Sequence, residues 1–324
     1  MPSEQDLHHI PGSGTNPHEP LVSIEKLTII RRYPLDQLEA IKDAAVFHIA
    51  IGSWYLQLAN TAGAAVRLKM FLPDQYGERS ENFADLRFIK SGFGGKACLV
   101  RTEWNPGMAG GAANAYVIKE LTSFLPDTPE ELFSNAYVSR LDLAVDVPGV
   151  RCEVLVGERA THHKAVNLYT NAKGEVSELR IGKRQPGGNG GKLIRLYDKD
   201  LPYHGGQRGV RAEIELGRPG YLPALAAIDN PFSSFRIYQF PPALNEGALG
   251  HLICAARQRG MKRAMTMLTD KDQIAGFKTI VEQSPAPWWD PALLWDSAKE
   301  SIAGMFGSAS SAVPLAALSP AMRN

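Results

Sequence analysis

Three short ribbons between residues 139 and 216 alternate polar and apolar side chains. They are Ser139-Arg140-Leu141-Asp142-Leu143-Ala144-Val145-Asp146-Val147, Lys192-Leu193-Ile194-Arg195-Leu196-Tyr197-Asp198-Lys199 and Val210-Arg211-Ala212-Glu213-Ile214-Glu215-Leu216. Successive side chains on a strand point to opposite faces, so residues two apart share one. The first ribbon therefore projects Arg140, Asp142 and Asp146 together, the second Arg195 and Tyr197, and the third Arg211, Glu213 and Glu215. If the strands are neighbours in one sheet, a single face gathers carboxylates, arginines and one tyrosine.

Residues 1–20 have no apolar period and read as a disordered tail. The alternation of Leu21 to Ile30 predicts a strand, and Leu35, Leu38 and Ile41 a short helical piece after Pro34. Val46 to Phe71 reads as strands of a meander. Leu86 to Ile89 and Ala97 to Trp104 follow as strands around a glycine turn, closed by Asn105-Pro106-Gly107. Helical spacing runs from Gly110 to Phe124, and Thr128-Pro129-Glu130-Glu131 is a helix start with a capping threonine and acids at the positive dipole end. Glu178 to Gly182 and Lys192 to Tyr197 read as strands joined by a Gly-rich tip. Gly220 to Ile228 and Glu246 to Thr269 read as helical, and a last short helix follows the tryptophan-rich stretch from Pro285 to Trp295. No repeat is evident. The expected architecture is α+β: a central antiparallel sheet with helices packed on one side, plus a small C-terminal helical segment. The expected divisions are an α+β catalytic domain over 21–220, a helical segment over 221–303 and a disordered tail over 304–324.

Composition narrows the function. The 324 residues are 44 % hydrophobic, enough for a large core, and the net charge of +1 gives no global signal for nucleic acid or membrane. The longest apolar runs are too short to cross a bilayer, and no signal peptide opens the chain. Three scattered cysteines suit a reducing compartment, so the expected location is cytoplasmic, with no membrane partner. Local charge says more: from Arg159 to Arg218 there are twelve Lys or Arg against six Asp or Glu. A basic loop beside an acidic cluster suits a phosphate backbone passing over a phosphodiester-cutting site.

The acids on the shared face suit a hard divalent cation, Mg²⁺ or Mn²⁺, which takes oxygen ligands and keeps several waters. Asp142, Asp146 and Glu213 or Glu215 are the candidate ligands. The plain alternative is a solvated sheet face whose acids pair with Arg140, Arg195 and Arg211. Asp is disfavoured inside strands, yet two stand in this apolar run. Tyr197 is the candidate nucleophile, with Tyr203 and Tyr169 as alternatives. A phenol of pKa near 10 needs a polarised phosphate and a nearby cation, Arg195 or Lys199, to attack phosphorus. No His-x-His strand, no zinc spacing and no nucleophile elbow is present.

Together the three ribbons resemble the replication initiation factor family, the rolling-circle initiators of plasmids and filamentous phages and related relaxases. Thr102-Glu103-Trp104-Asn105-Pro106 adds a weaker echo. The resemblance implies an enzyme that nicks one DNA strand at an origin through a tyrosine, stays attached to the 5′ phosphate, and uses a divalent metal held by carboxylates. Carried onto this chain, it makes Tyr197 the nucleophile, Asp142, Glu213 and Asp146 metal ligands, and Arg195 and Lys199 the groups that steady phosphate. Arg140, Lys183, Arg184, Lys192 and Arg211 become the expected DNA contacts. The partner it implies is origin DNA, single-stranded or hairpin, with a host helicase and polymerase and a homodimer as further expectations. Ile181-Gly182-Lys183-Arg184 departs from the glycine-serine step usual before the tyrosine ribbon. Two rivals remain: a non-catalytic DNA-binding regulator on the same scaffold, and a metal-dependent nuclease using water.

Overall fold

A computed structural model describes residues 20–50, 54–57, 64–70, 84–90, 97–159, 166–182, 192–201 and 206–305. Lys183, Arg184, Tyr203 and nearly all of the two expected tails lie outside these, as do the side chain of Lys192 and the tip of its loop. In chain order come β1 (Leu21–Pro34), α1 (Leu38–Ala50), β2 (Trp54–Gln57), β3 (Ala64–Met70), β4 (Ala84–Lys90), β5 (Ala97–Trp104), α2 (Pro106–Phe124) and α3 (Pro129–Asn135). Then follow β6 (Tyr137–Pro148), β7 (Leu155–Arg159), β8 (Val166–Thr170), β9 (Val176–Gly182), β10 (Lys192–Leu201), β11 (Gln207–Tyr221) and β12 (Phe235–Gln239). Last among the described residues come α4 (Gly247–Arg259), α5 (Met261–Met265), α6 (Lys271–Glu282) and α7 (Pro291–Met305).

Ten strands form one antiparallel sheet in the order β2-β3-β4-β5-β1-β6-β11-β10-β9-β8, and β12 pairs with β7 in a second, small sheet. The expected α+β architecture is present. The three ribbons are indeed neighbours, with β11 between β6 and β10. The apolar alternates Leu141, Leu143 and Val145 are buried in the same core as Val117 and Leu121 of α2 and Leu294, Ala298 and Ile302 of α7. Both helices pack on β1, and α4 packs on β7 and β8. The small sheet lies close under β9: a Cβ on Gly157 would stand 2.3 Å from the end of the Ile181 side chain.

The topology contains a duplication that the sequence hides. In the first half, β1 runs along the centre of the sheet, the chain crosses to the edge, and β2-β3-β4-β5 meanders back to pair with β1. In the second half, β6 does the same and β8-β9-β10-β11 meanders back to pair with β6. Because β1 and β6 are antiparallel neighbours, the halves are related by an approximate two-fold axis through the sheet.

Three local expectations are corrected. The stretch beginning at Val46 is helix as far as Ala50, since α1 continues one apolar face through Leu38, Ile41 and Ala45. Gly220 still belongs to β11, after which Leu222–Ala227 forms a 3₁₀ turn rather than an α-helix. The single helix expected over Glu246 to Thr269 is broken at Gly260, whose φ of 85° favours glycine and caps α4. The predicted start of α3 is a complete capping box: Thr128 Oγ1 accepts from the Glu131 amide at 3.2 Å, and Glu131 Oε2 from the Thr128 amide at 2.9 Å.

Candidate active site on the polar sheet face

Strand register decides which polar groups meet. Asp146 stands opposite Arg211, Ala144 opposite Glu213, and Asp142 opposite Glu215 across β6 and β11. On the other side of β11, Arg195 stands opposite Glu213 and Tyr197 opposite Arg211. Two acids, Asp142 and Glu215, are thus set against each other while Asp146 meets an arginine, and two clusters result.

The first cluster joins the tyrosine to an acid. The Tyr197 hydroxyl donates to Glu213 Oε2 at 3.1 Å, while Arg195 donates to the other oxygen of the same carboxylate. The Arg195 guanidinium also lies 5.7 Å from the centre of the Tyr197 ring. Arg140 forks onto Asp142, with Nε–Oδ1 at 2.8 Å, and reaches Glu215 Oε2 at 3.2 Å. Asp142 and Glu213 are 1 % and 3 % exposed, too deep for acids of a merely solvated face. The arginine pairing expected of the plain alternative is present; the burial is not what it implies.

Electrostatics mark this cluster as strained for charge. Burial pushes the Asp142 carboxyl up from 3.8 to about 6, Arg140 opposes it, and the Glu213 and Glu215 charges push it further up. The Tyr197 phenol is driven well above its ordinary value by burial and then by the Glu213 charge, against Arg211 and Arg195. A neutral, half-buried phenol attacks phosphorus only if an acceptor takes its proton, and Glu213 is in place to do so.

The second cluster is an anchor. Arg211 is 1 % exposed and grips Asp146, also 1 % exposed, through two hydrogen bonds of 2.6 Å. Its remaining nitrogen donates to Glu25 Oε2 at 2.6 Å. Glu25 arrives through a register shift between Ile24 and Lys26 in β1, which no sequence pattern signals. Arg211, expected above to meet DNA, is thus buried and fully engaged with two carboxylates. Asp146, expected to join Asp142 at a metal, lies four residues along β6 from it, roughly 13 Å at strand rise, and holds an arginine instead.

No family model matches the chain, and no curated protein does. Among solved structures the chain is similar to a rolling circle replication initiator protein from Geobacillus stearothermophilus, at 14 % identity over 86 % of this chain and 96 % of that one, with a TM-score of 0.37. It is also similar to the di-domain ARO/CYC StfQ of the steffimycin biosynthetic pathway, at 10 % identity over 78 % of this chain and 98 % of that one, with a TM-score of 0.15. Likeness at these scores carries no weight for fold or activity, and the site stands on its own geometry.

That geometry bears on a metal through the donors alone. Asp142, Glu213 and Glu215 offer hard oxygen ligands, and the Asp142 carboxyl is pushed up chiefly by burial and then by the Glu213 and Glu215 charges. In the present side-chain arrangement Arg140 and Arg195 take up those oxygens, and among the described residues no three acids, histidines or cysteines are gathered as a ready metal site. Lys199 lies on β10 two residues beyond Tyr197 and shares its face, opposite Gly209. Tyr169 is 42 % exposed on β8 with Arg180 over its ring at 4.5 Å, and Glu178 of β9 stands between it and Tyr197. None of the described helices is long and apolar enough to cross a membrane.

Proposed function

We propose that the chain is a tyrosine-dependent DNA-nicking and strand-transfer enzyme that initiates rolling-circle replication at an origin. The observation that carries this reading is the half-buried hydrogen bond from Tyr197 to the buried Glu213, with Arg195 on the same carboxylate. In the step it suggests, the Tyr197 oxygen bonds to phosphorus as its proton passes to Glu213. The bond from phosphorus to the 3′ oxygen breaks, and that oxygen leaves to take a proton from water. The product is a 5′-phosphotyrosyl link, which keeps the bond energy for rejoining. Arg195 and Lys199 lie on the strand of the tyrosine and suit the phosphate charge.

A divalent cation, Mg²⁺ or Mn²⁺, belongs to this proposal, with Asp142 and Glu213 or Glu215 as the residues that would hold it; it would polarise the phosphate oxygens. Asp146 stays with Arg211. In the same reading residues 21–220 carry the chemistry, and the helices after them help hold DNA. The test is incubation with supercoiled origin DNA and Mg²⁺ or Mn²⁺, followed by denaturing electrophoresis. The expected result is a nicked circle with protein covalently attached, lost in Tyr197→Phe. An adduct that survives in Tyr197→Phe overturns the assignment of the nucleophile. Cleavage without any adduct favours water as nucleophile, and binding without cleavage favours a regulator.

A further inference from the structure

The approximate two-fold axis assigns every residue of the candidate site a counterpart in the first half of the chain. Aligning β5 on β11 through Val100-Arg101-Thr102-Glu103 and Val210-Arg211-Ala212-Glu213 matches Glu103 to Glu213 and Arg101 to Arg211. The registers then fix the rest. Asp85 opposes Glu103 as Arg195 opposes Glu213, and Arg87 opposes Arg101 as Tyr197 opposes Arg211. Lys69 opposes Asp85 as Arg180 opposes Arg195. Thr28 opposes Glu103 as Ala144 opposes Glu213, so Lys26 is the counterpart of Asp142. Lys26 and Asp142 are themselves directly opposite each other, which puts the axis between them.

The scaffold is repeated and the chemistry is not. The counterpart of the tyrosine is an arginine, and the counterpart of the raised aspartate is a lysine. Around the candidate site, the ion pairs of the described residues join Arg140, Arg180, Arg195 and Arg211 to Asp142, Asp146, Glu178, Glu213, Glu215 and Glu25: four cations against six carboxylates. In the counterpart, Lys26 and Arg101 share Glu103, at 3.3 and 2.9 Å, and Lys69 and Arg87 share Asp85, at 3.3 and 2.9 Å. That is four cations against two carboxylates, with Lys26, Arg87 and Arg101 partly exposed. The two poles of one sheet face have opposite charge.

We propose that the counterpart cluster of Lys26, Lys69, Arg87 and Arg101 holds phosphates of the single DNA strand that continues from the nick at Tyr197, a role that rests on the nicking reading above. Charge favours this occupant: a polyanion is drawn to the positive pole and repelled from the negative one except where the tyrosine and its arginines meet it. Arg87, standing where the tyrosine would be, can bind a phosphate and cannot be linked to it. From Tyr197 to Arg87 the path crosses five strand spacings and about eight residues of strand, which makes roughly 30–35 Å before twist.

The test uses the full chain carrying Tyr197→Phe, so that binding is read without cleavage, with single-stranded oligonucleotides that end close to the nick position or extend past it on either side. Affinity should rise with length until the strand spans the sheet. Arg87→Gln with Arg101→Gln should remove that gain, leave short-oligonucleotide binding unchanged, and make the log–log salt slope shallower by about 1.4, some 0.7 per phosphate contact. Arg87→Lys with Arg101→Lys should keep most of it. If the double glutamine variant does not fold, Lys26→Gln reads the same contact with a change of about 0.7. No gain with length, or a gain untouched by these variants, overturns the proposal. The covalent adduct is assayed separately with Tyr197 present: an adduct without the length effect sinks only the second pole, and the length effect without an adduct sinks only the nicking chemistry.

Discussion

Replacing Asp142 by asparagine should remove a loss of stability that sets in as pH rises, and should abolish nicking. The Asp142 carboxyl sits at about 6 in the folded protein against an ordinary value of 3.8, chiefly through burial and then through Glu213 and Glu215. Its folded value is raised, so the folded state binds more protons than the unfolded one between those values, and stability falls as pH rises through that window. The difference of about two units corresponds to about 3 kcal/mol at about 1.4 kcal/mol per unit. Asparagine cannot ionise and escapes this loss; leaving Arg140 with Glu215 alone shifts the comparison by a constant that pH does not change. Urea unfolding of both proteins from about pH 4 to about pH 7.5, without divalent metal, reads the effect. The gap between the variant and the wild type should move in favour of the variant by about 2.5 kcal/mol across the range. A gap that stays flat, or that moves the other way, refutes the crowding of charge at Asp142. Adding Mg²⁺ at neutral pH should then stabilise the wild type, by about 2.7 kcal/mol at a hundred times the dissociation constant, and leave Asp142→Asn unmoved.

Other outcomes follow from the same contacts. Glu213→Gln removes a charge that holds the Tyr197 phenol up, so ionisation of the tyrosine becomes easier; if Glu213 is the proton acceptor, adduct formation should nevertheless slow by about 10²–10⁴-fold and recover partly at higher pH, whereas faster attack at every pH would mean that the carboxylate only repels. Arg211→Ala leaves Asp146 and Glu25 without their cation, both on or under the sheet, and should cost about 3–5 kcal/mol in a denaturant melt; a loss under 1 kcal/mol would show the anchor to be dispensable. Gly209→Ala drives a Cβ to 2.3 Å from the Val147 carbonyl oxygen and 2.9 Å from Pro148 Cα, both backbone, and should destabilise by about 1–3 kcal/mol; an unchanged melting temperature would refute that close approach.

The shared face of the three ribbons was legible because a strand's period of two leaves no freedom once the residues are named. Asp142, Glu213, Arg195 and Tyr197 had to lie on one side of any sheet in which β6, β11 and β10 were neighbours. Alternation does not contain register, and register chose the partners. Sliding β11 by two residues along β6 would have kept every face and brought Glu213 opposite Asp142 and Arg211 opposite Ala144. Asp146 became half of an anchor and Arg211 its buried partner for that reason alone. Glu25 was out of reach of any pattern, since it joins Arg211 only through a shift that breaks the alternation of β1. The helix past Val46 was missed because Val46 and Phe47 are apolar yet exposed, off the Leu38–Ile41–Ala45 face, which blurs the helical period.

The duplication went unseen for a physical reason as well. What the halves share is strand order and register, which constrain only the inward alternates, and those are satisfied by any apolar residue of suitable size. Thus Leu86 stands for Leu196 but Phe88 for Asp198, and only Val-Arg-x-Glu survives in both last strands. The outward alternates were free to diverge, and their divergence divides the labour proposed for the face. Each pole is already ion-paired, so a ligand adds no new charge to a buried place but exchanges partners. On the proposed reading, phosphate takes Arg195 and Arg140 while a cation takes the carboxylates they leave. Such an exchange keeps the number of paired charges constant, which limits the desolvation cost that an isolated buried acid would carry. The arginines on Asp142 and Glu213 are then the resting state of the site rather than an argument against it.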